Sequence, residues 1–311
     1  MSWLKSAISS ALSSRGPTPA NSTPGTPTTE APAPVLTVSQ DGNDDIPAFP
    51  LAHGDCNTCA TPCPDHAQYP DSLRKTIEWE EPMKGSVMTY GKHFVIATGS
   101  GKMNWEHEVS EVEGTMAHEV GKIVYNRTSG KRTVLTNSSM AVPYEEEENK
   151  TDVLVLPDWK FVEEIKPEQA SDLVSHFVDE QAEAGKGLKV RDAEWDAIVL
   201  ICSHRKRDKR CGITAPYLRN EFERSLRSHN LWRDPDDSRP NGGVGVFFVS
   251  HIGGHKFAGN VIIYRKEKGE GIWYGKVEPC HVERIVEETV VSGMVFEGLL
   301  RGGVEGRKEM F

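Results

Sequence analysis

LICSHRKRDKRCGITAP (200–216) and FVSHIGGHKFAGN (248–260) decide the reading of this chain. The first carries Cys202 and Cys211, the second His251 and His255. Each pair follows an apolar run that reads as a strand, WDAIVLIC (195–202) and GVGVFFVS (243–250). Both pairs are read in strand-end loops rich in Gly and polar residues. Two thiols and two imidazoles presented in this way are a ligand set for a metal centre. Which metal is left open by the residue types.

An amphipathic helix is predicted over APYLRNEFERSLRSHNLW (215–232), with Pro216 in its first turn. GNVIIYRK (259–266) and GIWYGKV (271–277) read as strands, and EPCHVERIVEETVV (278–291) as a closing helix. The order β-α-β-β-β-α, with a long excursion after the second strand, resembles a thioredoxin-like core. Upstream, KHFVIATG (92–99), KRTVLTN (131–137) and DVLVLPD (152–158) read as strands. KPEQASDLVSHFVDEQAEAGKG (166–187) has helical periodicity. The expected fold class is therefore α/β in two domains. An N-terminal α/β domain, itself a candidate degenerate thioredoxin-like unit, covers 49–188. A thioredoxin-like domain covers 189–311.

The chain has 311 residues, 26% charged and 37% hydrophobic, with a net charge of −10. That balance argues against bulk nucleic-acid binding. No apolar run approaches the ~18 residues of a membrane span. Residues 1–48 read as a disordered Pro/Ser/Thr-rich tail. Within it Trp3, Leu4, Ile8 and Leu12 fall at helical spacing, with Lys5 and Arg15 and no acid before residue 16. This matches a mitochondrial presequence in part, although two basic residues are few. A secretory signal is not expected, so Asn21, Asn126, Asn137 and Asn149 are not read as glycosylation sites. The compartment stays open between cytoplasm and mitochondrion. Six cysteines without a secretory context favour metal or redox chemistry over a disulfide framework.

The spacings narrow the chemistry. Histidines at i, i+4 would suggest a helical zinc hydrolase, but Gly253 and Gly254 each cost about 1 kcal/mol in a helix. The Glu of that motif is also missing. A loop wrapped closely round something explains the glycines better. Eight residues separate Cys202 from Cys211, too many for a zinc knuckle. A thioredoxin-type Cys-x-x-Cys at a helix start is absent. Arg205, Lys206, Arg207, Lys209 and Arg210 lie between or beside the two cysteines, where they would stabilise thiolates and could receive an acidic partner. Cys56, Cys59 and Cys63, flanked by His53 and His66, form a compact trio, read equally as a second metal site or a reduced surface loop. Cys280 reads as an ordinary half-buried thiol. ATGSGKMNW (97–105) fails as a phosphate loop, because Ile96 and Met103 stand where Gly and Ser/Thr are needed.

ICSHRKRDKRCGITAPYL (201–218), HIGGHKFAGNVIIY (251–264) and IWYGKVEP (272–279) together resemble the fungal sucrase/ferredoxin-like family. That family includes proteins of the actin patches distal and altered-inheritance-of-mitochondria type and is related to thioredoxin-like [2Fe-2S] ferredoxins. The match is dense over about 195–305 and looser over 50–190. The resemblance implies a [2Fe-2S] cluster whose ligands map onto Cys202, Cys211, His251 and His255. Related ferredoxins carry Cys-x3-Cys where this chain has the two histidines. The implied function is an electron carrier, more than an enzyme in its own right, with no catalytic residue. It would work with a separate reductase and an electron acceptor in redox or iron homeostasis. Two neutral imidazoles in place of thiolates would raise the potential and couple it to protons. Two other readings remain: a zinc-binding structural protein using the same four residues, and a thioredoxin-fold thiol oxidoreductase. No pair of carboxylates is placed for glycoside hydrolysis.

Overall fold

The β-branched and aromatic runs read as strands in the sequence do form strands, and these join into one sheet. The computed structural model describes residues 49–52, 66–99, 104–145, 148–234, 237 and 239–305. The tail and presequence readings over 1–48, and the trio Cys56, Cys59 and Cys63, lie outside the described residues.

The strands are β1 (Tyr90–Ala97), β2 (Arg132–Ser138), β3 (Thr151–Leu156), β4 (Lys160–Ile165), β5 (Lys189–Asp192), β6 (Ala197–Cys202), β7 (Val244–Val249), β8 (Val261–Arg265), β9 (Glu270–Tyr274) and β10 (Leu300–Val304). Their order across the sheet is β10-β9-β8-β6-β7-β2-β1-β3-β4-β5. The helices are α1 (Asp71–Arg74), α2 (Met116–Val124), α3 (Ala170–Phe177), α4 (Lys209–Ser228) and α5 (Val282–Arg284, continued as a π-helix over Ile285–Val291).

One pattern occurs twice. β1 pairs β2 in parallel across α2, then β3 and β4 add antiparallel on the other side of β1. β6 pairs β7 in parallel across α4, then β8 and β9 add antiparallel beside β6. Numbered within its own half, each set reads 2-1-3-4, the thioredoxin-like order. The halves meet at β2 and β7, which share one ladder pair, Ser138 with Val249. Ser139 N–H to Phe248 O and Ser250 N–H to Asn137 O, both 2.9 Å, extend that join. β5 is hydrogen-bonded to β4 and so sits in the first half, just past the expected boundary.

Alternation along the strands explains three separate cores. In β6, Ala197, Val199 and Ile201 face α4 and α5, whereas Ile198, Leu200 and Cys202 face the opposite way. In β1, Phe94 and Ile96 pack with α2 and α3, whereas Val95 and Ala97 join the same central cluster as Leu200. The sheet therefore curls until its halves face one another, with helices outside both. Every residue of β6 is buried because both faces are covered.

The helix predicted over 166–187 is shorter. α3 ends at Phe177, and Glu180 takes a left-handed backbone (φ 58°) that no helix continues through. A 3-10 segment, Ala182–Gly187, follows. α2, β4, β5 and β10 carry no clear signal in the sequence. β10 contains two glycines, and β4 reads KFVEEI.

A polar chain crosses the central core. His93 bonds Tyr264 Oη at 3.0 Å through Nδ1 and Thr136 Oγ1 at 2.9 Å through Nε2. Tyr264 Oη lies 2.6 Å from Tyr90 Oη, which accepts from Trp273 Nε1 at 2.8 Å. Burial, helped by Arg132, lowers His93 from 6.5 to about 3, so it stays neutral in the fold. The unfolded chain binds that proton below pH 6.5, so this stability is complete above 6.5 and is lost as pH falls toward 3. At pH 5 the loss from His93 is about 2 kcal/mol. Urea midpoints between pH 4 and 7 should show this slope, and His93→Gln should flatten it. An equally steep slope in the variant would remove His93 as its source.

Candidate metal centre

Cys202 ends β6, and His251 follows two residues after β7. Both leave the C-terminal ends of a parallel strand pair, the edge at which open α/β sheets place their ligands. Cys211 is not in a loop, contrary to the sequence reading. Asp208 accepts the Arg210 N–H at 2.8 Å and starts α4 at Lys209, so Cys211 occupies the first turn. Pro216 is interior to this helix. Its lost hydrogen bond is outweighed by burial of Ala215, Leu218, Phe222 and Leu226 on one face. The cationic run hid the start because Asp208 is its only capping side chain.

Gly212 lets the chain return on itself. A Cβ there would overlap the backbone and Cβ of Arg205, so only glycine allows the loop to press against the helix. Cys211 thereby meets Cys202 across eight intervening residues. Cys202 and Cys211 interact directly, and Cys202 also feels the His251 side chain and the Ile252 N–H. No disulfide joins them. Cys211, then His251, pulls the Cys202 thiol well below its ordinary range against the effect of burial. Cys202 and burial push Cys211 well above it.

His251 and His255 are half-buried, with ring centroids 5.3 Å apart. The Nδ1 atom of each is buried and has no hydrogen-bond partner. Leaving such an atom unpaired costs about 1–3 kcal/mol. Burial lowers the His255 pKa, favouring the neutral imidazole that a metal needs. Two sulfurs and two unpaired ring nitrogens on adjoining strand ends fit the donor set of an iron–sulfur or zinc centre. Among the described residues, no three His, Cys, Asp or Glu side chains group round one metal position.

The glycines have separate uses. Gly253 and Gly254 both adopt left-handed backbone, φ 78° and 66°. A Cβ at Gly254 would also overlap the guanidinium of Arg301, which the loop wraps. Sequence reasoning missed Arg301, and it missed His204. His204 is buried, accepts the His251 N–H on Nδ1 at 3.2 Å and donates from Nε2 to Trp105 O at 3.2 Å. Trp105, from the first half, meets the His204 ring edge to face. The centre thus lies on the seam between the halves. The signal for His204 was its place two residues after Cys202; Trp105 offered none, being 99 residues away.

Outside the centre, Lys206 pairs with Glu106 at 2.5 Å, Arg207 with Glu108, and Arg210 with Asp208 at 2.9 Å. Arg205 and Lys209 are exposed. They line a groove of about 810 Å³ together with Ser72, Thr76, Asn104 and Ile213. His66 is bonded to Glu221 at 3.2 Å, and Cys280 is half-buried.

The sucrase/ferredoxin-like family model matches residues 83–302, most of both halves. The chain belongs to the sucrase/ferredoxin-like family. Actin patches distal protein 1 of Saccharomyces cerevisiae is 34% identical over 235 residues, covering 69% of this chain and 73% of that one. Altered inheritance of mitochondria protein 32 of Debaryomyces hansenii is 32% identical over 253 residues, covering 74% and 88%. Its namesake in Clavispora lusitaniae reaches 47% over 105 residues, 34% of each chain. Among solved structures, a thioredoxin-like [2Fe-2S] ferredoxin from Aquifex aeolicus is 21% identical, with a TM-score of 0.26, over 38% of this chain and all of that one. The thioredoxin-like order in this member of the family stands on its own strand pairing.

Proposed function

We propose that this protein is an electron carrier that holds a [2Fe-2S] cluster on Cys202, Cys211, His251 and His255. The observation that carries the reading is the pair of buried, unpartnered Nδ1 atoms beside two buried, directly interacting cysteines. A two-iron cluster divides its four ligands between two metals. A mononuclear zinc site would instead take all four round one point. Membership of a family described as ferredoxin-like agrees with this choice.

The test is the visible spectrum of anaerobically purified protein, with iron and sulfide counted. Two irons and two sulfides per chain with red-brown absorbance are expected; a colourless zinc protein, or thiol-disulfide activity without iron, would sink the reading. Imidazole ligands remove negative charge and favour reduction. Rieske centres span roughly −150 to +300 mV, against about −400 mV for plant-type ferredoxins. A potential well above about −400 mV is therefore expected here, falling as pH rises if the ligand imidazoles couple protons. His251→Cys or His255→Cys should keep a cluster at lower potential. An unchanged spectrum in His255→Ala would remove that ligand.

A separate reductase and acceptor complete the function. The exposed cations Arg205 and Lys209 stand beside the centre on a chain of net charge −10, which suits an acidic partner surface. Relatives named for altered inheritance of mitochondria support a mitochondrial association. No described helix is long and apolar enough to cross a membrane.

A further inference from the structure

Arg301, on β10, is 2% exposed. Its guanidinium donates to neutral acceptors: Gly253 O at 3.2 Å, Asn260 Oδ1 at 2.9 Å and Ser86 Oγ at 3.1 Å. The rings of Phe257 and Trp273 lie 5.6 and 5.9 Å from its carbon. A charge in such a place is retained at large cost unless an anion meets it. Burial pulls this guanidinium down to about 10, and the groups opposing that fall are the sulfurs of Cys202 and Cys211. Elsewhere the same fold buries Arg265 with Glu270 as its carboxylate. No carboxylate makes an ion pair with Arg301 among the described residues.

Its neighbours tie it to the histidine loop. Asn260, which accepts from Arg301, donates through Nδ2 to Gly254 O at 3.0 Å. The carbonyls of Gly253 and Gly254 are thus both held by one Arg–Asn pair, and the missing Gly254 Cβ leaves room for the guanidinium.

We infer that Arg301 is a positioning residue that holds the His251–His255 loop and whose fixed charge balances the electron the centre accepts. The inference rests on the [2Fe-2S] reading. Two ferric ions, two sulfides, two thiolates and two neutral imidazoles carry no net charge. One electron from an external donor makes the cluster singly negative, and only then does the buried cation have an equal and opposite partner. Arg301 therefore favours the reduced state.

The test is mediated potentiometry, at fixed pH, of the full chain as wild type, Arg301→Gln and Arg301→Lys. Arg301→Gln keeps an amide donor for Gly253 O but loses the charge. Its reduction equilibrium should shift at least tenfold toward the oxidised form, a fall of 59 mV for one electron. Arg301→Lys should stay within threefold of wild type. An unchanged potential in a cluster-loaded Arg301→Gln would overturn the inference. If Arg301→Gln holds no cluster, Arg301→Lys decides alone: a tenfold fall there overturns it. A role limited to structure would instead lower the unfolding midpoint of the cluster-free protein in both variants and leave the potential in place. An iron-free wild type overturns the cluster reading itself, before any variant is made.

Discussion

Cys202→Ser and Cys211→Ser are each expected to lose the cluster, with iron falling from two per chain to a small residue and the visible bands disappearing. The physical reason is the ligand: a serine hydroxyl is a hard, weakly acidic donor where iron–sulfur clusters take thiolate. The environments of the two sulfurs predict an order. Cys211, then His251 and the Ile252 N–H, lower the Cys202 thiol, whereas Cys211 itself is pushed up. Cys202→Ser removes the sulfur that ionises more readily. Cys211→Ser keeps that sulfur and loses the one whose ionisation is disfavoured, so any residual, oxygen-labile cluster should be found in Cys211→Ser. Iron and sulfide analysis after anaerobic purification reads both. Full iron occupancy in either variant would remove that cysteine from the ligand set. Retained unfolding midpoints in the cluster-free variants would show that the loss is one of ligation.

Glu270→Ala is expected to cost the fold about 3–5 kcal/mol, the usual loss when one partner of a buried ion pair is removed. Total stabilities are about 5–15 kcal/mol, so this loss alone brings the protein near its unfolding threshold. Arg265 and Glu270 are 3% and 4% exposed and face each other across the β8–β9 ladder. Arg265 also donates to Val290 O at 3.0 Å and Val291 O at 2.9 Å, joining the sheet to the end of α5. Without Glu270 its charge stays buried, and half-exposed Glu267, 3.9 Å away, is a poor substitute. Urea denaturation should show the loss in Glu270→Ala, less of it in Glu270→Gln, and recovery in Arg265→Met/Glu270→Leu, where no charge remains. A loss under about 1 kcal/mol in Glu270→Ala would mean that water reaches the guanidinium.

Much of the second half was legible. β6 is a short apolar run buried on both faces and β7 another that is largely buried, a signal that survives without knowledge of partners. The paired glycines ruled out a helix between His251 and His255, and both are left-handed in the structure. The start of α4 was not legible, because a run of cations masked Asp208 and a proline suggested a later start. The repeat of one strand order in the first half was obscured by a weak β4 and by an α2 that was not recognised.

Residue type and spacing by themselves determined the α/β class, carried the family resemblance and singled out Cys202, Cys211, His251 and His255 as candidate donors, because these depend on chemistry carried along a local stretch of chain. The tertiary structure alone decided what surrounds those four side chains: Cys211 on a helix, Trp105 from the other half over His204, and Arg301 from the last strand beneath Gly254. Hydrogen bonding and charge act through space. In a sheet that curls its halves together, the groups that tune a centre come from positions far from it in sequence.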